Sequence, residues 1–331
     1  MTEYVVLYHR GCNDGIAAAW ATREALGENA IYLPMQYGDP IPAVVDGSHL
    51  ILVDLSLTKA QLAEIYPSRV KSVIVIDHHK TALKELTALK SVHTFAEYCR
   101  RLSEGGIDDP HLYKSFDMGR SGAVLAWAFF NNIDVSTEPY EEWQDRMPEV
   151  LVFIEDYDLW RHKYPESKAV NAWLINGGLL MDRVGQMVDQ NGQINEDVLT
   201  IGEAMLKYDE NIARSVIRDY LEEYPYGNGK IAMVNAPHHL RNLIGDMLAE
   251  KYLFVACYTR RKKRTVFSLR SKKFDVSTIA ERHGGGGHKD SAAFSIANGP
   301  NQNLLSLVTK PTFLSRLRMA WMVLFPKKVK P

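Results

Sequence analysis

The stretch Val-Ile-Val-Ile-Asp-His-His-Lys-Thr, residues 73–81, decides the fold of this chain. Its four consecutive β-branched apolar residues predict a strand that is buried on both faces, as the strands of parallel sheets are. The strand ends in Asp77, His78 and His79. Ligands bind at the carboxyl ends of strands in open α/β sheets, so a carboxylate and two imidazoles there predict a site for a divalent metal such as Mn²⁺ or Zn²⁺. Two solvated loop histidines beside a turn aspartate are the alternative.

The composition is that of an ordinary soluble globular protein, with 331 residues of which 46% are apolar and 24% are charged. A chain of this length exceeds the size at which a single core usually splits, so two domains are expected. The formal net charge of -1 argues against a protein that holds nucleic acid by bulk electrostatics, although a local basic groove stays open.

The cysteines and the N-terminus favour a cytoplasmic location. Cys12, Cys99 and Cys257 are widely spaced and odd in number, so they predict neither a disulfide framework nor a zinc ribbon, in line with a reducing compartment. The chain begins directly with a strand pattern, without the features of a signal peptide. No stretch reaches 18 apolar residues, so no membrane span is predicted.

The pattern of a strand followed by a polar residue occurs three times in the first 80 residues. A strand at 4–8 is followed by His9 and Asp14, and a strand at 50–53 is followed by Asp54. We therefore predict an α/β fold with a parallel sheet and helices on both faces. Asp14 could alternatively do no more than cap the helix that ends near Leu26, but capping does not explain His9.

Two further helices carry candidate polar residues. Ser121 is a good N-cap for a buried helix, and Arg120 just before it lies where an anion would be favoured. An apolar helix at 147–154 leads into Asp156 and Asp158. These two carboxylates could be a metal ligand with a supporting partner, or the polar end of a helix.

The C-terminal part predicts a smaller α/β domain. A long amphipathic helix at 196–224 ends near a Pro/Gly/Asn cluster at 225–229, which is a candidate domain boundary. Four glycines at 284–287 precede His288, and successive backbone amides of glycines can form an anion-binding nest. Together with Arg270 on a neighbouring strand they predict a phosphate site, the alternative being a flexible linker.

Two basic segments have less specific interpretations. The hairpin tip at 260–264 is either a solvated turn or a phosphate contact. The basic, amphipathic tail at 299–331 is expected to pack on its own protein or a partner, with an anionic membrane surface as the alternative.

The whole ordered set resembles the DHH phosphoesterase family with its DHH-associated C-terminal domain, over roughly residues 4–296. That family includes the RecJ exonuclease, nanoRNases and cyclic-dinucleotide phosphodiesterases, and family II pyrophosphatases share its N-terminal domain. The resemblance implies a catalytic domain at 1–195, a connecting helix and linker at 196–229, a substrate-binding domain at 230–298 and the tail at 299–331. The motifs that carry it are His9 with Asp14-Gly15, Asp54, Asp77-His78-His79, Asp156 and the Gly-Gly-Gly-Gly-His run at 284–288.

The resemblance also implies roles for these residues. It implies two Mn²⁺ ions, for which Mg²⁺ or Co²⁺ could substitute, with Asp54 as the bridging carboxylate. Catalytic roles fall to Asp77, expected to orient His78, and to His79, expected to contact the scissile phosphate. The implied metal ligands are His9, Asp14, Asp54, His78 and Asp156, and the substrate-binding residues, with Arg120 added for its place before a helix N-terminus, are Arg120, Arg270, Gly285, Gly286, Gly287 and His288.

One departure from the family pattern bears on the metals. Many members carry Asp-x-Asp-Gly in the first motif, whereas this chain has Cys-Asn-Asp-Gly with Cys12 in place of the first aspartate. A thiol is a poor substitute for a carboxylate toward Mn²⁺, so one ion is expected to bind weakly. We favour a packing role for Cys12 over a ligand role.

The sequence thus favours a Mn²⁺-dependent phosphodiesterase or exonuclease that hydrolyses short single-stranded oligonucleotides or nucleotide second messengers by metal-activated water. Long duplex DNA is not expected as a substrate, because the net charge is near neutral. The alternatives are a non-catalytic nucleotide sensor with an impaired metal pair and an inorganic pyrophosphatase. The oligomeric state, including a homodimer, stays open.

Overall fold

A computed structural model describes residues 3–104, 110–299 and 303–309 and divides the chain into two compact units. Unit 1 comprises Met1–Ile212 and unit 2 comprises Ala213–Pro331. Both units contain helices and a six-stranded sheet. The predicted fold class, a parallel-sheet α/β domain followed by a smaller α/β domain, is confirmed.

The sheet of unit 1 is parallel throughout. Its strand order from edge to edge is β2-β1-β3-β4-β6-β5, so the chain crosses over repeatedly between strands, as parallel pairing requires. The strands are β1 (Tyr4–His9), β2 (Ala30–Met35), β3 (His49–Val53), β4 (Ser72–Asp77), β5 (Lys90–Ser91) and β6 (Leu112–Phe116).

Side chains of the central strands alternate between two cores, one on each face of this sheet. Ile74 and Ile76 of β4 belong to one core, and Val73 and Val75 belong to the other. The predicted burial of this strand on both faces is confirmed, since every residue of β4 is buried. The helices are α1 (Asn13–Leu26), α2 (Lys59–Ile65), α3 (Lys80–Glu85), α4 (Phe95–Glu104), α5 (Gly122–Phe130), α6 (Glu149–Asp158), α7 (Glu166–Asn176), α8 (Met181–Gln186) and α9 (Glu196–Tyr220), the last of which crosses the division between the units.

The topology brings the polar strand ends together. Strands β1, β3 and β4 are neighbours and run in the same direction, so their carboxyl ends lie at one edge of the sheet. His9 ends β1, Asp54 follows β3 and Asp77 ends β4. Helix α5 begins at the same edge, and its N-terminus is capped by Ser121 as predicted, with Ser121 Oγ accepting from Val124 N.

The sheet of unit 2 has the order β11-β12-β10-β9-β8-β7, with β8 parallel to β9 and the other pairs antiparallel. The core of this unit includes the strand residues Phe254 and Phe267 together with the helical residues Ile279 and Val308. The elements are β7 (Leu221–Tyr226), β8 (Gly229–Asn235), α10 (Arg241–Leu248), β9 (Val255–Arg260), β10 (Arg264–Arg270), α11 (Ser277–Glu281), β11 (Gly286–Gly287), β12 (Ser291–Ala297) and α12 (Leu304–Thr309).

Three local differences from the sequence analysis have physical reasons. Strands β2 and β7 were not predicted, and each contains a proline, Pro34 or Pro225, which sheets tolerate because both strands lie at a sheet edge. The segment 225–229 forms the turn of the β7–β8 hairpin, in which Tyr226 pairs with Gly229, because the residues that mark linkers also make tight turns. Helix α6 continues to Asp158, past the predicted end at 154.

The tail is described only at 303–309, where α12 packs on unit 2 and Leu307 O contacts His283 Nε2 at 2.8 Å. The expected basic amphipathic segment otherwise lies outside the described residues. None of the described helices combines the length and apolar character needed to cross a membrane.

Candidate metal centre

His78 is the hub of a buried cluster of carboxylates. Its Nε2 atom lies 3.2 Å from Asp54 Oδ1, 3.4 Å from Asp14 Oδ2 and 3.6 Å from Asp158 Oδ2. Burial alone would lower the pKa of His78, but the hydrogen bond with Asp54 and the other two carboxylates outweigh it and raise the pKa to about 10. Without a metal, the imidazolium is therefore the positive charge that keeps these acids together.

Asp14 is fixed by the start of helix α5. Its Oδ2 accepts a hydrogen bond from Gly122 N at 2.6 Å, and its Oδ1 accepts one from Ala123 N at 2.9 Å. Burial and the nearby carboxylates of Asp54 and Asp158 raise the pKa of Asp14 well above its ordinary value. The Asp14 carboxylate thus occupies the N-terminus of α5, where the sequence predicted that an anion would be favoured.

Two glycines allow the strand ends and helices to approach so closely. A Cβ atom on Gly122 would lie 2.6 Å from Asp54 Cβ and 2.9 Å from Asp14 Oδ2. A Cβ atom on Gly15 would lie 2.3 Å from His9 O. Neither distance is compatible with a side chain, so the site requires glycine at both positions.

Asp54 lies between two groups of side-chain atoms of the kinds that bind metal ions. The first group is that of Asp14, His78 and Asp158. Asp54, at φ +50°, is held in the left-handed region, which is uncommon for non-glycine residues and often occurs at functional sites. A second group comprises His9, Cys12 and Asp54, whose ligand atoms all lie within 4.8 Å of one another. The two groups flank the Asp54 carboxylate, Oδ1 toward His78 and Oδ2 toward His9, which is the geometry of a bridging ligand.

The second group has polar atoms that need a partner. Asp54 Oδ2 and His9 Nδ1 are 3.5 Å apart, and neither atom makes a hydrogen bond with the part of the chain that is described, although both are buried. Burial would raise the pKa of Asp54, but the imidazoles of His78 and His9 hold it below its ordinary range. A buried carboxylate and imidazole with unused lone pairs fit a divalent cation.

Cys12 lies in this group, so the structure places it among candidate ligand atoms, whereas a packing role was favoured from the sequence. Its backbone is the N-cap of α1, where its carbonyl accepts a hydrogen bond from Ile16 N at 3.2 Å. Its Sγ atom is grouped with His9 and Asp54. Position 12 therefore contributes a sulfur atom to the site.

Asp158 lies in the cluster with His78, whereas the sequence favoured Asp156 as the ligand. The Asp156 carboxylate stabilises the turn that follows α6. It accepts hydrogen bonds from Lys163 N at 2.8 Å, Tyr164 N at 3.3 Å and Ser167 Oγ at 2.6 Å. Side chains two residues apart on a helix are separated by about 200° around the helix axis. Only one of these two carboxylates can therefore face the cluster.

Asp77 orients His79 rather than His78, which also differs from the expectation. Asp77 Oδ1 contacts His79 Nδ1 at 2.7 Å and accepts from the backbone N atoms of His78 at 2.7 Å and His79 at 3.2 Å. Its other oxygen accepts from Ser56 Oγ at 2.5 Å. Burial would lower the pKa of His79, but Asp77 outweighs it and raises the pKa.

Arg120 is engaged by the protein itself. Its Nη1 donates to Glu155 Oε1 at 2.8 Å, and its guanidinium lies 3.8 Å from the centroid of the Tyr140 ring. The buried Glu155 also accepts from Arg161 Nη1 at 2.7 Å and from Ser121 N at 2.9 Å. The geometry explains Arg120 as part of the packing at the start of α5 and lends no support to its predicted role in substrate binding.

Unit 2 has a separate basic cluster around Arg270. Arg270 Nη2 donates to Asn242 Oδ1 at 2.5 Å, and its stem passes over Gly245, where a Cβ atom would be 2.5 Å from Arg270 Cγ. Arg241, which the sequence analysis did not select, is only 7% exposed. Its Nε donates to His238 O at 3.2 Å, while its Nη1 makes no hydrogen bond with a described residue. Burial and the charge of Arg270 lower the pKa of Arg241 to about 10, so it stays cationic at neutral pH.

Comparisons with known proteins agree with these two units. A family model described as the DHHA1 domain matches residues 232–310. This part of unit 2 is therefore similar to DHHA1 domains. A solved DHH domain, described as a member of the s1p family of ribosomal proteins, is 13% identical and has a TM-score of 0.52, covering 89% of this chain and 83% of that one. The predicted resemblance to the DHH family with a DHHA1 domain is confirmed.

Other relatives are more distant or uncharacterized. An uncharacterized protein of Acanthamoeba polyphaga mimivirus is 25% identical over 319 residues, which cover 88% of this chain and 67% of that protein. A structure of the exonuclease RecJ bound to manganese is 15% identical with a TM-score of 0.46, covering 99% of this chain and 93% of that one.

Close packing against β12 explains the glycines at 285–287 of unit 2. Gly286 and Gly287 form the short strand β11 beside β12, and a Cβ atom on Gly285 or Gly287 would lie 2.2 Å from Ala293 O or 2.5 Å from Ser291 O. His288 follows, with its backbone N donating to Ser291 O at 2.7 Å. The run is therefore not a flexible linker.

Proposed function

We propose that this chain is a metal-dependent phosphodiesterase that hydrolyses short single-stranded oligonucleotides or small nucleotides. The observation that carries the proposal is the Asp54 carboxylate, which is buried and faces a group of metal-type ligand atoms on each side. Two divalent ions about 3.5–4 Å apart, sharing a bridging carboxylate, are the usual machinery of phosphoester hydrolysis.

The residues fit such a pair of ions. One ion would be held by Asp14, Asp54, His78 and Asp158, and the other by His9, Cys12 and Asp54. The first set contains carboxylates and one imidazole, which suit Mn²⁺, with Mg²⁺ or Co²⁺ as substitutes. When bound, the ions would lower the pKa of a water molecule and neutralise charge on the phosphate.

His79 would act on the phosphate through its proton. Asp77 fixes the orientation of the ring by accepting a hydrogen bond from Nδ1, and it raises the pKa of His79 above its ordinary value, which favours the protonated form. A protonated, oriented imidazole would donate a hydrogen bond to the leaving oxygen of the scissile phosphate, whose negative charge grows as its bond to phosphorus breaks. Asp77 would be a positioning residue in this reaction.

Unit 2 offers a candidate anion site of its own. Arg241 is buried, cationic and has a donor atom without a hydrogen bond among the described residues, which is a costly state unless an anion completes it. Arg270, His288 and the backbone of 285–287 are the remaining candidates for contact with a phosphate. A few concentrated charges in a protein of formal net charge -1 suit a short substrate better than a long duplex.

The test is a hydrolysis assay with Mn²⁺ over a panel of short RNA and DNA oligonucleotides, linear and cyclic dinucleotides, 3′-phosphoadenosine phosphate and pyrophosphate. His78→Ala serves as the variant without a metal centre, and His93→Ala, a histidine outside the candidate centre, serves as the matched control. Release of mononucleotides by the wild type and by His93→Ala, but not by His78→Ala, is the expected result.

Two other outcomes correspond to the alternatives. Turnover of pyrophosphate alone would make the chain a pyrophosphatase. Nucleotide binding without turnover of any substrate would make it a sensor. This outcome is tested because a sulfur atom at position 12 is a poor ligand for Mn²⁺.

A further inference from the structure

The two ligand groups at the metal centre differ in chemistry. Asp14, His78 and Asp158 form one group, and His9, Cys12 and Asp54 form the other. The first offers oxygen atoms and one imidazole, whereas the second offers a sulfur atom, an imidazole and an oxygen. Thiolates prefer softer cations such as Zn²⁺, while carboxylate-rich sites suit Mn²⁺.

The position of Cys12 is held by the surrounding backbone. Gly11 has φ +76° and Gly15 contacts His9 O so closely that no side chain fits, which keeps the turn between β1 and α1 compact. Within this turn, His9 Nδ1 and Asp54 Oδ2 are buried and make no hydrogen bond among the described residues. The thiol therefore lies beside His9 Nδ1 and Asp54 Oδ2, which are 3.5 Å from each other but make no hydrogen bond among the described residues, and one cation would engage all three atoms.

We propose that the subsite of His9, Cys12 and Asp54 selects a thiophilic divalent ion, Zn²⁺ foremost, so that the centre holds an unequal pair of Zn²⁺ and Mn²⁺. The proposal rests on the proposed function only in placing two ions at this centre. On binding, the Cys12 thiol releases its proton to solvent and the sulfur donates a lone pair to the ion, without any change of oxidation state.

Cobalt substitution tests the sulfur ligand directly. Purified apoprotein is titrated with Co²⁺ while the near-ultraviolet absorption is followed, because a thiolate bound to Co²⁺ gives a charge-transfer band that oxygen and nitrogen ligands do not. We expect the band in the wild type and in Cys99→Ser, the matched control cysteine, and its loss in Cys12→Ser and Cys12→Asp. A wild type that binds Co²⁺ without the band, or a band that persists in Cys12→Ser, would overturn the proposal.

Metal counting tests the selectivity. After dialysis against equal concentrations of Zn²⁺ and Mn²⁺, we expect the wild type to retain one Zn²⁺ beyond the content of Cys12→Asp, in which a carboxylate replaces the thiol and Mn²⁺ takes that place. Equal Zn²⁺ contents in the two proteins would refute the selectivity. Thermal unfolding with a chelator checks that both variants fold.

These readouts are separate from turnover. If the wild type hydrolyses the substrate but shows no thiolate band, the proposal of an unequal metal pair is refuted and the proposed phosphodiesterase activity stands. If the protein shows a thiolate band but hydrolyses nothing, the sulfur ligand is supported and the phosphodiesterase activity is refuted.

Discussion

The Nε2 atom of His78 lies 3.6 Å from the Oδ2 atom of Asp158. This contact places the last residue of helix α6 at the metal centre, together with Asp14 and Asp54 on the other sides of the same imidazole. It assigns different tasks to two aspartates that look alike in the sequence. Asp158 faces the imidazole of His78, and Asp156 accepts hydrogen bonds from the chain that follows the helix.

Exchanging each of these aspartates for asparagine separates the two tasks. We expect Asp158→Asn to lose a bound Mn²⁺ and to reduce hydrolysis by about 100-fold or more, because coordination depends on the carboxylate charge. Asp156→Asn should instead lower the free energy of unfolding by about 1–3 kcal/mol, because its buried oxygens accept three hydrogen bonds. Metal counts and urea denaturation distinguish the variants. Loss of Mn²⁺ in Asp156→Asn but not in Asp158→Asn would refute the assignment.

Gly122→Ala tests how tightly helix α5 closes on the site. The new methyl group would lie 2.6 Å from Asp54 Cβ, so we expect overpacking to cost about 1–3 kcal/mol of stability and to weaken Mn²⁺ binding. Gly229→Ala is the control, since its Cβ would make an ordinary contact of 3.8 Å with Leu253 Cβ. Calorimetric Mn²⁺ titrations of both variants provide the comparison. Unchanged Mn²⁺ affinity in Gly122→Ala would contradict the packing described here.

Arg241→Met keeps the apolar stem of the side chain and removes its charge. We expect binding of a dinucleotide to weaken by roughly 10- to 100-fold, since a hydrogen bond to a charged group contributes about 1.5–3 kcal/mol. Protein stability should change little, because removal of a buried charge offsets loss of the hydrogen bond from Arg241 Nε to His238 O. Arg218→Met, at a position whose side chain is 73% exposed, should bind like the wild type. Equal affinities for Arg241→Met and the wild type would exclude Arg241 from the substrate site.

The pKa of His78 predicts how the metal-free protein responds to pH. The pKa is about 10 in the folded protein, above the ordinary value of 6.5, so the protonated ring stabilises the folded state. This contribution is complete below the ordinary pKa and is lost as the pH rises through about 10. With a chelator present, we expect the unfolding midpoint in urea to fall over this range. His78→Asn should show a shallower fall, and saturating Mn²⁺ should remove the fall in the wild type. Parallel slopes for wild type and His78→Asn without metal would contradict this account.

Much of the fold and of the site could be predicted from the sequence, because both depend on local patterns. The apolar run at 73–76 indicates a strand buried on both faces, and parallel strands then bring His9, Asp54 and Asp77 to one edge. Strand β2 was missed because Pro34 interrupts its pattern, and the first four residues of β7 were wrongly assigned to the helix predicted at 196–224, which ends at Tyr220. Their acceptance as strands depends on lying at a sheet edge, which only the complete sheet reveals.

The errors at the site have a common cause. Whether Asp156 or Asp158 faces His78 depends on where α6 ends and on its rotation, and the helix runs four residues beyond the predicted end at 154. The burial of Arg241 likewise depends on the packing of distant elements. The position of Cys12 next to Asp54 had a signal in the sequence, since it occupies the place of a ligand in the family motif.

The most direct test of the central claim is the product of a labelled oligonucleotide measured alongside bound metal. A short 5′-labelled RNA is incubated with wild-type protein while Mn²⁺ is added to the apoprotein, and the bound metal is counted in the same samples. The account predicts that mononucleotide release rises with metal occupancy and is absent in Asp158→Asn. Full metal occupancy without cleavage of any oligonucleotide or dinucleotide would contradict it.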